Sequence, residues 1–309
     1  MGGTYKGGDG LFKFQAEQKV YQIGNVTIGG QPGQYPTVLM ASIFYQGDKL
    51  VKDEEKGIFD QEGALCWINK IDDMCKKVGV PLMIDIVGAS ENAMRNYVEF
   101  IGCNTDLPLI IDGTVAKVRI AGVEMAAKLG LQDRVVFDSV NAESRAEELE
   151  EVKKYGLKTT IVMLNNSKKP TAQGRVDIAD VLIERAKSYG FEKLLLDMAV
   201  LDIIEPGPAA KAIYMLKDKY GYPAGCSPTH TVITGWKKAY MYNKIEIAST
   251  KTSMATSLQL LGADFIMYGI KQTEIVPSMA AVDALVAYSC MQYGVRPASH
   301  AHPLYHIFK

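Results

Sequence analysis

The chain has 309 residues, of which 48% are hydrophobic and 22% charged, so it can bury a large core and has the composition of a globular protein. Its formal net charge is −1 and no run of Lys or Arg exceeds two residues, which argues against nucleic acid or an anionic membrane as the main partner. No apolar run approaches the roughly 20 residues of a membrane span, and residues 1–14 contain no apolar signal core. The five cysteines are scattered, without zinc-ligand spacing. We therefore expect a cytoplasmic protein without a membrane span.

The chain begins with an extension, residues 1–35, and then repeats one structural unit. The extension contains VYQIGNVTIGGQPGQYP, which predicts a short hairpin that closes or plugs the bottom of the fold. The apolar segment 36–44 predicts the first strand, and from there an amphipathic helix, a glycine and a short apolar strand recur. The seven further strands are predicted at 81–85, 107–112, 134–138, 159–164, 193–198, 222–226 and 263–268.

Helix boundaries are marked by glycines and by polar N-cap residues. The apolar positions of 62–79 and of 173–189 fall on one helical face. A glycine just past a helix suits the left-handed conformation that ends it. The glycines in question are Gly79, Gly102, Gly130, Gly156, Gly190, Gly221 and Gly262. Asp60, Ser90 and Thr114 are predicted N-caps.

This alternation predicts a closed (β/α)₈ TIM barrel that occupies residues 1–309 as a single domain. The strands are nearly continuous apolar runs, as expected for parallel strands covered on both faces, and no strand-only stretch interrupts the order. An open Rossmann-like sheet is the alternative, although no GxGxxG turn follows an early strand. Residues 229–250 form a long, partly polar insertion after the seventh strand, and we expect the tail, 294–309, on the surface.

Polar residues follow the strands at the face where barrel active sites lie. They are Tyr45, Asp85, Asp112, Asp138, Asn141, Asn165, Asn166, Asp197, Cys226, Ser227 and Tyr268. Any single aspartate among them could equally cap the next helix or bind a loop amide. Four strands that end in aspartate are harder to explain as caps alone. Because clustered buried carboxylates repel one another, they predict a cationic or donor-rich ligand.

Several barrel chemistries lack their characteristic residues here. No lysine ends a strand, as a Schiff-base aldolase requires, and no glutamate pair follows the fourth and seventh strands, as a glycosidase requires. Histidines that could bind a metal are also misplaced, because His300, His302 and His306 lie in the tail. His230 is near the expected pocket mouth, where it is either a hydrogen-bonded loop residue or a catalytic one. We predict no metal site.

A pterin ring is a ligand that a set of Asp and Asn side chains can bind. Its 2-amino-4-oxo edge presents an exocyclic amine beside the N3 proton, and this pair matches an acceptor-only carboxylate. The segments GGQPGQYPT (29–37) and SIFYQGDKLVKDEEKGIFD (42–60) resemble the opening signature of the H-subunit family of tetrahydromethanopterin S-methyltransferase and its soluble tetrahydrofolate-using relatives. The segments LPLIIDGT (107–114), VVFDSVNAE (135–143) and LLLDMAVLD (194–202) resemble motifs of the methyltetrahydrofolate:corrinoid methyltransferases.

The resemblance implies methyl transfer between methylcob(III)alamin and N5 of tetrahydrofolate. Asp112, Asp138 and Asp197 would contact the pterin, and Asp112, or a water it holds, would assist at N5. The corrinoid-using relatives commonly have Asn where this chain has Asp138, and Ser227 stands where a relative places an Asn near the reacting nitrogen. Asn141, Asn165 and Asp85 complete the expected substrate-binding set.

The corrinoid would arrive on a separate carrier protein, since the chain has no DxHxxG cobalamin motif, and 229–250 is the expected docking surface. A homodimer is implied by the resemblance. Three other functions stay open: a tetrahydromethanopterin-specific subunit of a larger complex, a dihydropteroate-synthase-like pterin enzyme, and an unrelated α/β-barrel enzyme.

Overall fold

The computed structural model describes residues 10–237 and 243–307, and its centre is a closed barrel of eight parallel strands. In barrel order these are β3 (Val38–Ile43), β6 (Leu82–Gly88), β7 (Leu109–Gly113), β8 (Val135–Val140), β9 (Thr159–Met163), β10 (Lys193–Asp197), β11 (Ala224–Cys226) and β12 (Phe265–Gly269). Each strand lies where the sequence predicts it, so the barrel prediction is confirmed and the open-sheet alternative is wrong. Strand β6 runs to Gly88, which places Asp85 inside the strand and not after it.

The helices that cover the barrel follow the predicted alternation. They are α1 (Gln61–Val78), α2 (Glu91–Asn104), α3 (Ala116–Lys128), α4 (Ala146–Lys153), α5 (Ala172–Ser188), α6 (Pro206–Tyr220), α7 (Lys244–Leu260) and α8 (Ile275–Cys290). Asp60 and Ser90 cap α1 and α2 as predicted, accepting hydrogen bonds from the amides of Gly63 and Ala93. Thr114 is not a cap, because α3 begins one residue later, after Val115, which provides no side-chain cap.

Six of the seven predicted helix-ending glycines have the positive φ that this role requires, and Gly102 does not. Gly102 lies inside α2, which ends at Asn104 and is followed by the extended Thr105. A Cβ on Gly102 would lie 2.6 Å from Leu131 Cδ1. Glycine at 102 therefore allows the Leu131 side chain to pack closely against α2, and it does not serve as a helix-ending residue.

The bottom of the barrel is closed by the predicted N-terminal hairpin. Strands β1 (Val20–Ile23) and β2 (Val26–Gly29) pair antiparallel. Ile23 and Ile28 are fully buried and belong to the same apolar cluster as the inward-facing residues of the barrel strands. Each such buried side chain contributes about 1.5–3 kcal/mol, so the hairpin acts as the floor of the barrel core.

Two segments differ from the sequence-based expectation. A small hairpin, β4 (Val51–Asp53) and β5 (Ile58–Phe59), interrupts the predicted strict alternation between β3 and α1. The tail is not wholly on the surface, since it forms α9 (Pro303–His306) and His302 is 2% exposed. His302 Nδ1 accepts a hydrogen bond from the Leu304 amide, which makes His302 the cap of this turn.

The connection after β11 is mostly helical. A helical turn, Thr229–Thr231, continues into a π-helix, Val232–Trp236, and the remainder of the predicted insertion contains the first turns of α7. The part of the insertion between 238 and 242 lies outside the described residues.

Within the described residues, one helical stretch, Ile275–Tyr293, is long and apolar enough by composition to cross a membrane. Half of that stretch is buried inside the fold, where α8 packs on α1 and α7 as a barrel helix.

Candidate functional site

The carboxyl ends of the barrel strands carry a ring of acidic side chains. The inward-facing apolar residues Met83, Ile110, Val136 and Leu195 belong to one apolar cluster in the barrel interior. Because side chains alternate along a strand, the residue two positions later on each strand also faces inward, one layer nearer the mouth. Those residues are Asp85, Asp112, Asp138 and Asp197. The four strand-end aspartates are thus brought together by the period of the β-strand.

A cavity of about 1240 Å³ opens above this layer. Six of the seven predicted substrate-binding residues line it: Asp85, Asp112, Asp138, Asn141, Asp197 and Ser227. Asn165 is not among the residues that line the cavity, and its neighbour Asn166 donates to the Gly174 carbonyl at 2.9 Å, a structural bond. On β9 the position facing the cavity is occupied instead by Met163. His230, Tyr45 and Tyr268 also line the cavity.

Burial raises the pKa of all four carboxyls above their ordinary value. The pKa of Asp112 is raised to about 6, with the Arg119 guanidinium acting in the opposite direction. The pKa of Asp197 is raised to about 7, although the Ala199 amide and Arg175 lower it. Burial and the neighbouring carboxylates raise the pKa of Asp85 and Asp138 well above the ordinary range. The ring therefore retains protons near neutral pH in the absence of a ligand.

Asp85 is the most buried of the four, at 2% exposure, and it is only half satisfied. Ser42 Oγ on the neighbouring strand donates to Asp85 Oδ2 at 2.6 Å. Asp85 Oδ1 has no hydrogen-bond partner among the described residues. A buried carboxyl oxygen without a partner costs about 1–3 kcal/mol, which indicates that this wall of the cavity is built for a polar group of a ligand.

The loop after Asp197 is held from behind by an arginine that the sequence did not single out. Asp197 Oδ1 accepts from the Ala199 amide at 3.1 Å, and Ala199 has the unusual φ of +48°. Arg175 of α5, which is 1% exposed, donates through Nε to the Met198 carbonyl at 2.6 Å and pairs with Glu205 at 3.2 Å. This brace stabilises a backbone conformation that non-glycine residues rarely adopt.

A second arginine supports the end of β7, the strand that carries Asp112. Arg119 donates through Nη1 to the Gly113 carbonyl at 2.7 Å, and its Nη2 lies 2.6 Å from Glu148 Oε1 on α4. Both residues line the cavity. The sequence contains no local signal for this pair, because its members lie on different helices and meet only when the barrel closes.

The raised pKa values predict that the ligand-free protein loses stability as the pH rises. The folded state keeps protons that the unfolded chain releases above about pH 4, so unfolding becomes easier as the pH rises through the folded-state pKa values. Asp85→Asn removes the free-energy cost of ionising one buried carboxyl and keeps the shape of the side chain. We expect its midpoint of thermal unfolding at pH 8 to exceed the wild-type value by on the order of 3–6 °C.

The measurement is calorimetric unfolding at several pH values, with the exposed Asp106→Asn as control. The difference between Asp85→Asn and wild type should disappear near pH 4, and a lower midpoint for Asp85→Asn at pH 8 would contradict the assignment.

Fold and site together define a single-domain (β/α)₈-barrel enzyme with a carboxyl-lined cavity at its mouth. A sequence model of the tetrahydromethanopterin S-methyltransferase MtrH subunit family matches residues 16–298. The chain belongs to this family, and it is a methyltransferase by class. The resemblance seen in the opening segments is thereby confirmed.

Full-length relatives agree with the family match. The H subunit of the tetrahydromethanopterin S-methyltransferase of Methanothermobacter thermautotrophicus is 34% identical, over 96% of this chain and 99% of that protein. The corresponding H subunit of Methanopyrus kandleri is 35% identical, over 93% of this chain and 96% of that protein.

Solved structures share the fold at low identity. A dihydropteroate synthase of Yersinia pestis superposes with a TM-score of 0.62 at 16% identity, over 86% of this chain and 98% of that one. A 7,8-dihydropteroate synthase of Vibrio fischeri superposes with a TM-score of 0.61 at 17% identity, over 87% of this chain and 98% of that one. At this identity the likeness concerns the barrel fold alone.

Proposed function

We propose that the protein transfers a methyl group between N5 of a tetrahydropterin and the cobalt of a corrinoid. The observation that carries this proposal is the ring of four inward-facing aspartates, with the unpaired Asp85 Oδ1, at the barrel mouth. A reduced pterin supplies the ring N–H and amino donors that such a set of acceptors requires. Membership of the MtrH family supports the methyl-transfer chemistry.

Tetrahydromethanopterin is the pterin that the family favours. The relatives at 34% and 35% identity are named for tetrahydromethanopterin, whereas the sequence motifs placed tetrahydrofolate first. Tetrahydrofolate stays the second candidate because 107–114, 135–143 and 194–202 resemble enzymes that use it. The same relatives are named as subunits, so action within a larger assembly is part of the proposal.

Two of the aspartates are assigned hydrogen bonds to the pterin ring, Asp197 and Asp138. Ionised Asp197 accepts from the 2-amino group and N3, and these donors lower its pKa when the substrate binds. Asp138 retains its proton because burial and three neighbouring carboxylates raise its pKa, so it can both donate and accept. A protonated carboxyl thus replaces the Asn amide of the corrinoid-using relatives at this position. Asn141 and Ser227 offer further hydrogen bonds, and Asn165 has no role in this assignment.

Asp112 is assigned to the proton at N5. When the methyl leaves methylcob(III)alamin, cobalt keeps the electron pair as cob(I)alamin and the N5 lone pair forms the new bond. The proton that N5 then releases passes to Asp112 or to a water that it holds. In the reverse direction Asp112 returns the proton, so that N5 leaves as a neutral amine. A pKa of about 6 suits both directions near neutral pH.

The test is spectrophotometric and anaerobic. Purified protein is mixed with methylcob(III)alamin and either tetrahydromethanopterin or tetrahydrofolate, and the cob(I)alamin spectrum is followed. Faster conversion with tetrahydromethanopterin is expected. Conversion with tetrahydrofolate alone would reverse the order of the two pterins. Conversion with neither, also after addition of a methylated corrinoid carrier protein, would contradict the proposed reaction.

The corrinoid carrier is proposed to dock on the rim beside the π-helix. Trp236 Nε1 donates to the Ile203 carbonyl at 3.0 Å, which joins the segment after β11 to the β10–α6 loop. This rim exposes apolar side chains, with Leu201 at 59%, Ile204 at 74% and Ile245 at 78% exposure. A few well-packed residues near the centre of an interface carry most of its binding energy.

Ile204→Ser is therefore expected to slow transfer from the carrier protein about 5-fold and to leave transfer from free methylcobalamin unchanged. Steady-state rates with the two donors measure the difference. Val181→Ser, on α5 and 68% exposed, is the matched control. An equal loss of rate with both methyl donors would show that Ile204 does not contact the carrier protein.

A homodimer and a cytoplasmic location are retained as proposals. The first rests on the family resemblance and is tested by sedimentation velocity. The second rests on composition and is tested by fractionation of the producing cells.

A further inference from the structure

One wall of the cavity differs in character from its acidic floor. Val115, Lys117 and Arg145 line the cavity beside the strands that carry Asp112 and Asp138. Val115 and Arg145 precede α3 and α4, and Lys117 lies in the first turn of α3. Val115 is 46% exposed, so its aliphatic side chain is accessible to a ligand at the entrance to the cavity. The wall therefore offers an apolar contact followed by two cations.

Within the described part of the chain, the two cations of this wall have few partners. Arg145 is exposed, and its side chain makes no hydrogen bond or ion pair there. Lys117 has a single ion pair, 3.6 Å from Glu91, and its side chain is 73% exposed. Both charges are thus available to a ligand that lies along the wall.

Two carboxylates face the same wall. Glu148 is already paired with Arg119 at 2.6 Å and is buried, so it does not compete for Arg145. Glu143 is exposed and lines the same wall, so its charge offsets one of the two cations. Apart from the Arg119–Glu148 pair, the wall thus carries Lys117 and Arg145 against Glu143, an excess of one positive charge above the acidic floor.

The geometry points to a subsite for the aryl ring and anionic tail of the tetrahydropterin substrate, formed by Val115, Lys117 and Arg145. This inference rests on the proposed function and assigns to these three residues the recognition of the substituent on the pterin. A pterin held by the aspartates at the floor must direct its substituent towards the mouth. In both candidate pterins that substituent is an aryl ring followed by anionic groups: carboxylates in tetrahydrofolate, phosphate and carboxylates in tetrahydromethanopterin. Val115 contacts the ring, and the guanidinium of Arg145 binds carboxylate or phosphate oxygens in pairs.

The experiment compares ligands with and without the tail. Dissociation constants are measured by anaerobic calorimetry for tetrahydromethanopterin, tetrahydrofolate, its triglutamate and the tail-less 6-methyltetrahydropterin. The variants are Arg145→Gln, Lys117→Gln and, as control, Lys168→Gln, an exposed lysine on the β9–α5 loop that does not line the cavity.

Arg145→Gln should weaken binding of a tailed pterin about 3- to 5-fold and leave the tail-less pterin within twofold, and the effect should shrink at high salt. A larger loss with tetrahydromethanopterin than with tetrahydrofolate identifies phosphate as the anion, and a loss that grows from mono- to triglutamate identifies the glutamyl carboxylates.

Equal weakening of tailed and tail-less ligands, or no weakening of either, would overturn the subsite while the pterin site itself stands. A loss confined to transfer from methylcobalamin, with pterin affinity unchanged, would assign the cations to the corrinoid and would also overturn it. Absence of pterin binding to the wild type would instead contradict the proposed function.

Discussion

Asp112→Asn is expected to lower the rate of methyl transfer by about 100- to 1000-fold, the largest effect of any single change in this site. The amide keeps the size of the side chain and can still accept a hydrogen bond, but it cannot exchange a proton with N5. The rate of single-turnover transfer, followed through the cob(I)alamin spectrum at saturating pterin, measures this step. Asp106→Asn, at an exposed position before β7, should retain the wild-type rate.

The pH dependence separates a proton-transfer role for Asp112 from a purely binding role. Transfer from methylated pterin to cob(I)alamin needs the protonated carboxyl, so its rate should fall as the pH rises through the pKa of about 6. Transfer in the other direction needs the carboxylate and should rise over the same range. Asp112→Asn should flatten both profiles. Unchanged profiles would move the proton-transfer role to another group.

Asp197→Ala is expected to weaken pterin binding at least about 100-fold. The carboxylate is assigned two charge-assisted hydrogen bonds, and each such bond contributes about 1.5–3 kcal/mol when its partner would otherwise be left buried and unpaired. Anaerobic calorimetry with tetrahydromethanopterin and tetrahydrofolate measures the loss. Asp180→Ala, an exposed position on α5, is the matched control.

A conservative variant tests whether the loss of affinity is caused by a change in the conformation of the loop after Asp197. Asp197→Asn keeps an oxygen that can accept from the Ala199 amide, so the loop held by Arg175 should retain its conformation. We expect Asp197→Asn to lose pterin affinity with an unchanged midpoint of unfolding at pH 5. Pterin affinity within twofold of the wild type in both variants would remove Asp197 from the site.

Local sequence patterns were sufficient to predict the fold, because each helix or strand is marked by the spacing of apolar residues within one contiguous segment. The spacing of apolar residues in 62–79 and 173–189 is a property of each helix alone, and the apolar runs mark the eight strands. The same periodicity explains why the aspartates could be singled out. Asp112, Asp138 and Asp197 end their runs at equivalent positions, and equivalent positions on barrel strands meet at one mouth.

Features that depend on two distant segments were not predictable in this way. Gly102 ends an apolar stretch as the other glycines do, yet it lies inside α2, where the side chain of the distant Leu131 packs against it. His302 was expected on the surface with the rest of the tail, and it is buried because the tail folds back as α9 against α8. In each case the structure of the residue depends on contacts with residues that are far away in the sequence.

The sequence by itself determined the barrel, its order of elements and the acidic ring, since strand and helix periods place side chains without reference to neighbours. Only the tertiary structure decided how that ring is supported and charged. The Arg119–Glu148 pair, the Arg175 brace behind Asp197 and the bond from Ser42 to Asp85 join different elements of the barrel. Burial, which raises the four pKa values, likewise exists only after the barrel closes and removes water from the carboxyls.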